Sequence, residues 1–439
     1  MGGSMSAVTA AAPGKIVRSV MGYPSLPAGD PHEAWARALE LENDSLRSIY
    51  IHIPFCRSRC LFCPFYMRKG SRTEIRDYVS LLLRELMDAA DSGLGRLPVN
   101  SVYFGGGTPT DLEPEDFEMI LGLLRKKYRL ANDCEITVEG RITGFSDDKL
   151  AACADGGVNR FSIGVQTFDT ALRRSVGRVE DKETLVKGLE RIASKSQAAV
   201  VIDMLYGIPG QTMKSWTEDQ RVVLEETGIS GFDHYNLNIH RGLPLEAAIN
   251  SGKLPPYPSA AERFEMCKEG ERIMAAAGAV RLSIKHFALD CRERNMHNDI
   301  AGRKHCCLPF GAHSGGRLGG FTFHQTDDLN EYRRMVEAGK KPLDRAGIMP
   351  PDHNVCSELA GQISRRMGVN TALAGAADPP MASKIIRALE PVVEKQVQDG
   401  RLLPGSGGWM RLSAYARFTH RTVAAELMEA AAAAWRENL

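Results

Sequence analysis

Tyr50-Ile51-His52-Ile53-Pro54-Phe55-Cys56-Arg57-Ser58-Arg59-Cys60-Leu61-Phe62-Cys63-Pro64-Phe65-Tyr66 is the stretch whose reading decides the fold. Three cysteines stand at the spacing C-x3-C-x2-C, directly after a short β-branched, apolar run that reads as a buried strand. Three thiolates on one short loop can hold three irons of a [4Fe–4S] cluster. The fourth iron is then left without a protein ligand, and an open metal position is where a small molecule can coordinate. A zinc site would need a second ligand pair at similar short spacing. Cys306 and Cys307, with His305, are the other cluster, and they do not form a C-x2-C pair.

Working outward from the loop, strands and helices alternate. Apolar or β-branched runs at 48–53, 101–104, 135–138, 160–165, 199–206 and 231–237 predict six strands. Helical spacing at 72–90, 112–128, 146–154, 171–175, 182–193 and 213–226 lies between them. Alternation of this kind predicts parallel pairing with helical crossovers. Six units fall short of the eight that close a barrel. The expected fold class is therefore α/β, a partial (β/α)6 TIM-like barrel with the chemistry at the C-terminal ends of its strands.

Around this core the expected organisation is an N-terminal leader over 1–45, a core over 46–250, an extension over 251–345 and a C-terminal unit over 346–439. The leader is Ala/Pro/Gly-rich, is expected to be mobile before residue 25, and ends in a short helix at 31–41. A long amphipathic helix is predicted at 259–277. In the last unit, helical patterns at 356–367, 381–399 and 420–437 flank a small hairpin formed by 399–403 and 408–412. Helices with such a wing predict an α+β winged-helix-like module. Its balanced charge argues for a structural or lid role over nucleic-acid binding.

At 439 residues the chain is long enough for one large core and a smaller appended domain. Hydrophobic content of 43% and charged content of 25% are those of an ordinary globular protein, and a net charge of +1 gives no nucleic-acid footprint. No apolar run approaches the roughly 20 residues that span a bilayer. Residues 1–14 lack the charged start and apolar core of a signal peptide. Ten cysteines without an export signal argue for a reducing compartment, and the cluster loop for low oxygen. The expected location is the cytoplasm of a cell working anaerobically.

The polar residues at the predicted strand ends form a second signal. Gly105-Gly106-Gly107-Thr108-Pro109 closes the second strand, and backbone without side chains allows a ligand close approach. Glu139-Gly140-Arg141 ends the third strand, Gln166 ends the fourth, and Asp203 stands in the apolar fifth, where a carboxylate is costly without a partner.

The loop motif resembles that of the radical S-adenosylmethionine (SAM) enzymes. With Gly-Gly-Gly-Thr-Pro, Ser162-Ile163-Gly164-Val165-Gln166-Thr167-Phe168 and Tyr206-Gly207-Ile208-Pro209-Gly210-Gln211-Thr212, the stretch from Tyr50 to about Asn330 resembles their HemN-like branch. That branch comprises coproporphyrinogen dehydrogenases, HemW-type haem chaperones and class C methyltransferases. The resemblance implies a [4Fe–4S] cluster on Cys56, Cys60 and Cys63, and two SAM molecules. Tyr50, Gly106 and Glu139 would serve the cluster-bound SAM. Phe62, Gly107, Thr108, Gln166, Arg178, Asp203 and Asn238 would serve the second.

Within the branch, coproporphyrinogen dehydrogenases carry a fourth cysteine where this chain has Phe65, and the His-Asn and aromatic pairs of HemW-type chaperones are not found. Val138-Glu139-Gly140-Arg141, Asp203-Met204-Leu205-Tyr206-Gly207 and Arg292-Glu293-Arg294-Asn295 instead resemble the ChuW/HutW-type haem-utilisation enzymes, the anaerobilin synthases. Gly315-Gly316-Arg317-Leu318-Gly319-Gly320 fits that group only in part, and Cys306-Cys307 is not a familiar part of its pattern. The resemblance implies that a 5′-deoxyadenosyl radical from the first SAM abstracts hydrogen from the methyl group of the second. The methylene so formed would add to a haem meso carbon, open the ring, release iron and leave a methylated linear tetrapyrrole. The alternatives are a HemW-type haem chaperone, a class C methylase or cyclopropanase acting on another planar substrate, and a coproporphyrinogen dehydrogenase. An electron donor such as flavodoxin is implied.

Haem calls for cations at its propionates and, in many proteins, an axial ligand. The segment 285–325 is rich in both residue types, and His286, Arg292 and Arg294 are the candidates singled out there.

Overall fold

The computed structural model describes residues 25–41, 46–303 and 305–436. Of the leader expected over 1–45, residues 1–24 and 42–45 lie outside the described residues. The helix expected after it spans Pro31–Glu40, capped by Asp30, whose carboxylate accepts from the backbone amides of His32 and Glu33.

The six predicted strands are present: β1 (Arg47–Ile53), β2 (Val99–Gly106), β3 (Leu130–Gly140), β4 (Arg160–Gln166), β5 (Ala199–Tyr206) and β6 (Gly231–Asn236). Each pairs in parallel with its predecessor. Helices cross between them: Arg72–Asp91, Pro114–Lys127, Asp147–Asp155, Lys182–Lys195 and Met213–Glu225. Ser71 and Glu74 form a reciprocal capping box at the first of these, and Thr212 and Ser215 do so at the last. The strands read as near-continuous apolar runs because helices cover one side and the strand-end site and later segments the other. Ile49, Ile51, Ile53, Phe104, Val138, Phe161 and Ile202 are fully buried against helix residues such as Leu82, Leu86, Phe117, Leu124 and Leu189. Each such side chain contributes roughly 1.5–3 kcal/mol of burial.

The sheet extends beyond six strands. β7 (His286–Ala288) runs antiparallel on β6. β8 (Cys306–Phe310) adds a seventh parallel strand on the outer side of β1, pairing Cys307 with Ser48. Cys306 and Cys307 are thus buried strand residues. β9 (Gly315–Leu318), β10 (Phe321–Gln325) and β11 (Leu343–Ile348) continue antiparallel from β8. The order is β11-β10-β9-β8-β1-β2-β3-β4-β5-β6-β7, with two-residue strands at either end, Leu26–Pro27 and Val280–Arg281. The sheet stays open, a partial barrel.

The C-terminal residues build their own core. Val355, Leu359, Ile385, Leu389, Leu402, Val423 and Leu427 are buried together. β12 (Gly368–Val369), β13 (Leu402–Pro404) and β14 (Met410–Leu412) form the expected wing, with β14 in the middle. The helices around it include His353–Gly361, Ala382–Gln398 and His420–Arg436. No helix among the described residues is long and apolar enough to cross a membrane.

Candidate active site at the strand C-termini

The loop after β1 is held by backbone contacts to its neighbours. Cys56 N donates to Arg68 O at 3.0 Å, and Gly107 N and Thr108 N donate to Ile53 O and Phe55 O, each at 2.8 Å. This explains the glycine run. A Cβ on Gly107 would lie 2.3 Å from Phe55 O, and one on Gly106 would lie 2.8 Å from the His52 ring and from Ile53 O. Gly106 also has φ of +115°, open to glycine at little cost. The sequence suggested close approach of a ligand; the first thing that approaches is the cysteine loop itself.

The cysteine sulfurs meet hydrogen-bond donors. Thr108 Oγ1 lies 3.0 Å from Cys56 Sγ, and Arg141 Nη2 lies 3.1 Å from Cys56 Sγ and 3.5 Å from Cys60 Sγ. Phe65 N lies 3.4 Å from Cys63 Sγ. Burial, then the neighbouring Cys60 and Cys56, push the Cys63 thiol above its ordinary range. Thiol ligands give up their protons as a metal joins them. The donor set, with its hydrogen bonds to sulfur, therefore fits a polynuclear iron–sulfur group.

Beside the loop opens a cavity of about 640 Å³, lined by the ends of β2 to β6. Cys56, Cys60, Cys63, Phe62, Gly106, Gly107, Thr108, Glu139, Gln166, Arg178, Asp203 and Asn238 all line it. Tyr50 does not: it stands one layer behind, its ring stacked towards Tyr103 and its hydroxyl 3.0 Å from His52 Nδ1.

Local geometry at the cavity wall is specific. Gln166 has φ of +75°, strained for a residue other than glycine, at a register shift between β4 and β5. The chain just beyond it is clamped by Asp219, which accepts from Thr167 Oγ1 at 2.8 Å and Phe168 N at 2.7 Å. Arg178 Nη1 donates to Gly164 O at 3.1 Å, while its Nε is buried without a partner. A buried guanidinium with an unspent donor suits an anionic ligand. Asp203 is held above its ordinary range by burial and by Asp233 and Glu139, which outweigh Arg160 and Arg178. Tyr103 Oη donates to Glu139 Oε1 at 2.5 Å.

The haem candidates fall elsewhere. His286 is fully buried, its Nε2 2.9 Å from Glu293 and its Nδ1 3.0 Å from Asp233, the latter a charge contact rather than an aligned hydrogen bond. Burial opposes charge on this ring, but Asp233 and Glu293 raise it to about 9. Glu293 also pairs with Arg160 at 2.9 Å, equally buried. His286 therefore braces the wall from behind and offers no free nitrogen to an iron. Arg292 folds onto Asp290 at 2.7 Å, exposed. Arg294 donates to the Asp133 carbonyl at 2.9 Å. Asp133 lies six residues before Glu139 on β3, which puts Arg294 on the order of 20 Å from the cavity end. None of the three lines the cavity.

Residues not singled out from the sequence also line it: Tyr103, Arg141, Arg160, Asp233, Tyr235, His240, Asn298 and Arg421, together with Lys285, one of the cations of the 285–325 segment. Arg421 comes from the first turn of the last helix, so the C-terminal module closes one side. Lys285 sits 5.2 Å from the Tyr235 ring centre, its pKa lowered by burial and by Arg421. Arg141 stood in the motif after β3, without a local sign that it would reach the cysteine sulfurs. Nothing local marked Arg421.

Comparison with known proteins agrees with this geometry. Residues 50–222 match the model of the radical SAM superfamily. An anaerobilin synthase from Escherichia coli O157:H7 is 39% identical over 298 residues, 68% of this chain and 66% of that protein, just under two thirds of its length. An oxygen-independent coproporphyrinogen III oxidase from Bradyrhizobium diazoefficiens is 27% identical over 428 residues, 92% of each chain. Among solved structures, the coproporphyrinogen III oxidase HemN from Escherichia coli superposes with a TM-score of 0.78 at 21% identity, covering 93% of this chain and 97% of that one. The chain thus carries a radical SAM domain over residues 50–222, within a fold like that of HemN. A [4Fe–4S] cluster and SAM are the cofactors that such a domain implies.

Proposed function

We propose that the protein degrades haem anaerobically, transferring a SAM-derived methylene to a meso carbon, opening the macrocycle and releasing iron. The observation that carries this reading is the single cavity joining the cysteine loop to Gln166, Arg178, Asp203 and Asn238. When bound, the cluster supplies the electron that cleaves SAM. The chain's own residues do the rest by holding and shielding. Cys56, Cys60 and Cys63 would hold the irons, and Arg141 and Thr108 would stabilise charge on the sulfurs. Glu139, Gly106 and Tyr50 would serve the SAM at the cluster, Tyr50 from the layer behind. Phe62, Gly107, Thr108, Gln166, Arg178, Asp203 and Asn238 would serve a second SAM. A raised pKa lets Asp203 donate a hydrogen bond as well as accept one.

Lys285 and Arg421 supply cations, and His240 an imidazole donor, on the same cavity for the propionates of a tetrapyrrole. They take the place of Arg292 and Arg294 in this reading. The name of the 39% identical relative supports haem as the substrate class. Phe65, 40% exposed at the cavity mouth, stands where a dehydrogenase would carry its fourth cysteine. An electron donor such as flavodoxin would complete the cycle.

The test is anaerobic incubation of cluster-loaded protein with SAM, a reductant and haem, followed by absorbance and mass spectrometry. Loss of the haem spectrum together with a methylated, iron-free tetrapyrrole is the expected result. Haem recovered intact while SAM is cleaved would overturn the proposal.

A further inference from the structure

A second group of metal-ligating side chains, unused by the cavity, gathers at the outer part of the same sheet. β8 ends at Phe310 and the chain turns through 311–314 before β9 begins. That turn is held rigidly: Gly311 N donates to Glu85 Oε2 and Ala312 N to Tyr78 Oη, each at 3.0 Å. His313 sits in it with φ of +68°, a conformation that costs energy for a residue other than glycine. Antiparallel pairing of Gly315 with His324 then brings β10 alongside, with Asp327 just beyond the strand.

One ligand atom from each of His313, His324 and Asp327 lies within 4.8 Å of the other two, the one such convergence found among the described residues. His313 Nδ1 is 2.5 Å from Asp327 Oδ1, and His324 Nε2 is 3.5 Å from the same oxygen. The two histidine side chains are 19% exposed and the aspartate 36%, so an ion can enter from solvent. Surface histidine–aspartate pairs are common without a metal. What sets this group apart is a second carboxylate: Asp344 Oδ1 of β11 lies 2.9 Å from His324 Nδ1. A histidine that gives its Nδ1–H to a carboxylate presents the Nε2 lone pair, here towards Asp327, and metal-bound histidines are commonly oriented in this way. Two imidazoles and one carboxylate form a facial set with positions left for water.

Arg345 competes, with Nη2 2.8 Å from His324 Nδ1 and Nε 3.4 Å from Asp344 Oδ1. Its side chain is 40% exposed and can swing away. On the inner side, the His313 ring is 5.3 Å from that of His52, which packs against Gly106 of the cavity wall. The group thus lies one side chain behind the candidate active site.

We propose that His313, His324 and Asp327 form a binding site for a divalent first-row transition ion, Zn2+ or Fe2+ by ligand type, with Asp344 orienting His324. Cluster-loaded protein is equilibrated anaerobically with Zn2+, and zinc and iron per chain are counted by elemental analysis. One zinc per chain with undiminished iron is expected, and X-ray absorption at the zinc edge should report nitrogen and oxygen ligands. Asp344→Asn should weaken zinc binding about 10- to 100-fold. His324→Ala should weaken it further, and Arg345→Ala should tighten it, with the circular-dichroism melt reporting that each variant folds. No zinc at millimolar concentration, sulfur in its coordination shell, loss of iron as zinc binds, or wild-type affinity in both Asp344→Asn and His324→Ala would each overturn the assignment.

Discussion

The loop at 56–63 and the segment at 285–294 are both dense in residues that bind cofactors, yet the fold uses them in opposite ways. Every cysteine of the loop lines the cavity. Of the second segment, Lys285 alone does, while His286 and Glu293 are buried behind the wall and Arg292 and Arg294 pair with acids outside it. The difference lies in where each side chain faces. The three cysteines line the cavity, and Arg178 beside them keeps a buried Nε without a partner, whereas each His286 nitrogen lies within 3.0 Å of a carboxylate behind the wall. Residue type marks a capacity; the direction a side chain faces decides whether it serves a site.

The comparison can be broken most directly at the loop. Cys60→Ala should abolish cluster absorbance and haem turnover together, and turnover surviving without the cluster would remove the premise. In the second segment the large effect should be on folding instead. Glu293→Ala strands the buried Arg160 and should cost about 3–5 kcal/mol, read as a fall in the denaturation midpoint. A variant of wild-type stability would mean that the pair is not carrying the wall.

At the cavity, Arg178→Ala should weaken SAM binding by about 10- to 100-fold, the size of a lost hydrogen bond to a charged group at roughly 1.5–3 kcal/mol. Its melting temperature should hold, which separates it from Glu293→Ala.

The pH response sharpens the same contrast. The folded state raises His286 from its usual value of about 6.5 to about 9. Its stabilisation is therefore complete below about pH 6.5 and is lost as pH rises through about 9. The melting temperature should fall over that window, and His286→Gln should flatten the fall; an unchanged profile in the variant would sink the assignment. The smallest effects belong to Arg292→Ala and Arg294→Ala, expected within about 0.5 kcal/mol in stability and without change in haem turnover. A large loss of turnover in either would return haem binding to that segment.

Much of this architecture was legible along the chain. Residues 48–53 and 199–206 read as buried parallel strands because they are mostly apolar or β-branched, interrupted only by Ser48 and His52 in the first and Asp203 in the second, and the glycines at 105–107 marked a place of close approach. The loop cysteines could be picked because all of their ligands stand within eight residues. Arg141 was in view as part of a motif but gave no sign that it would reach two sulfurs, a contact made across the ends of separate strands. Arg421 was invisible, since nothing local says that the last helix caps the cavity.

The sequence by itself determined the class of strand and helix, their alternation, the cysteine loop and the family that these define, because each is encoded by neighbours within a few turns of chain. Only the tertiary structure decided which charges face the void. Lys285 and His286 are adjacent, and in extended chain adjacent side chains point to opposite sides, so the register on β6 sent one to the cavity and the other to Asp233 and Glu293. The same holds for β8, placed beside β1 from more than two hundred residues away, and for the meeting of His313, His324 and Asp327 that its position allows. Long-range pairing is set by the burial of the whole sheet, which no short window of residues records.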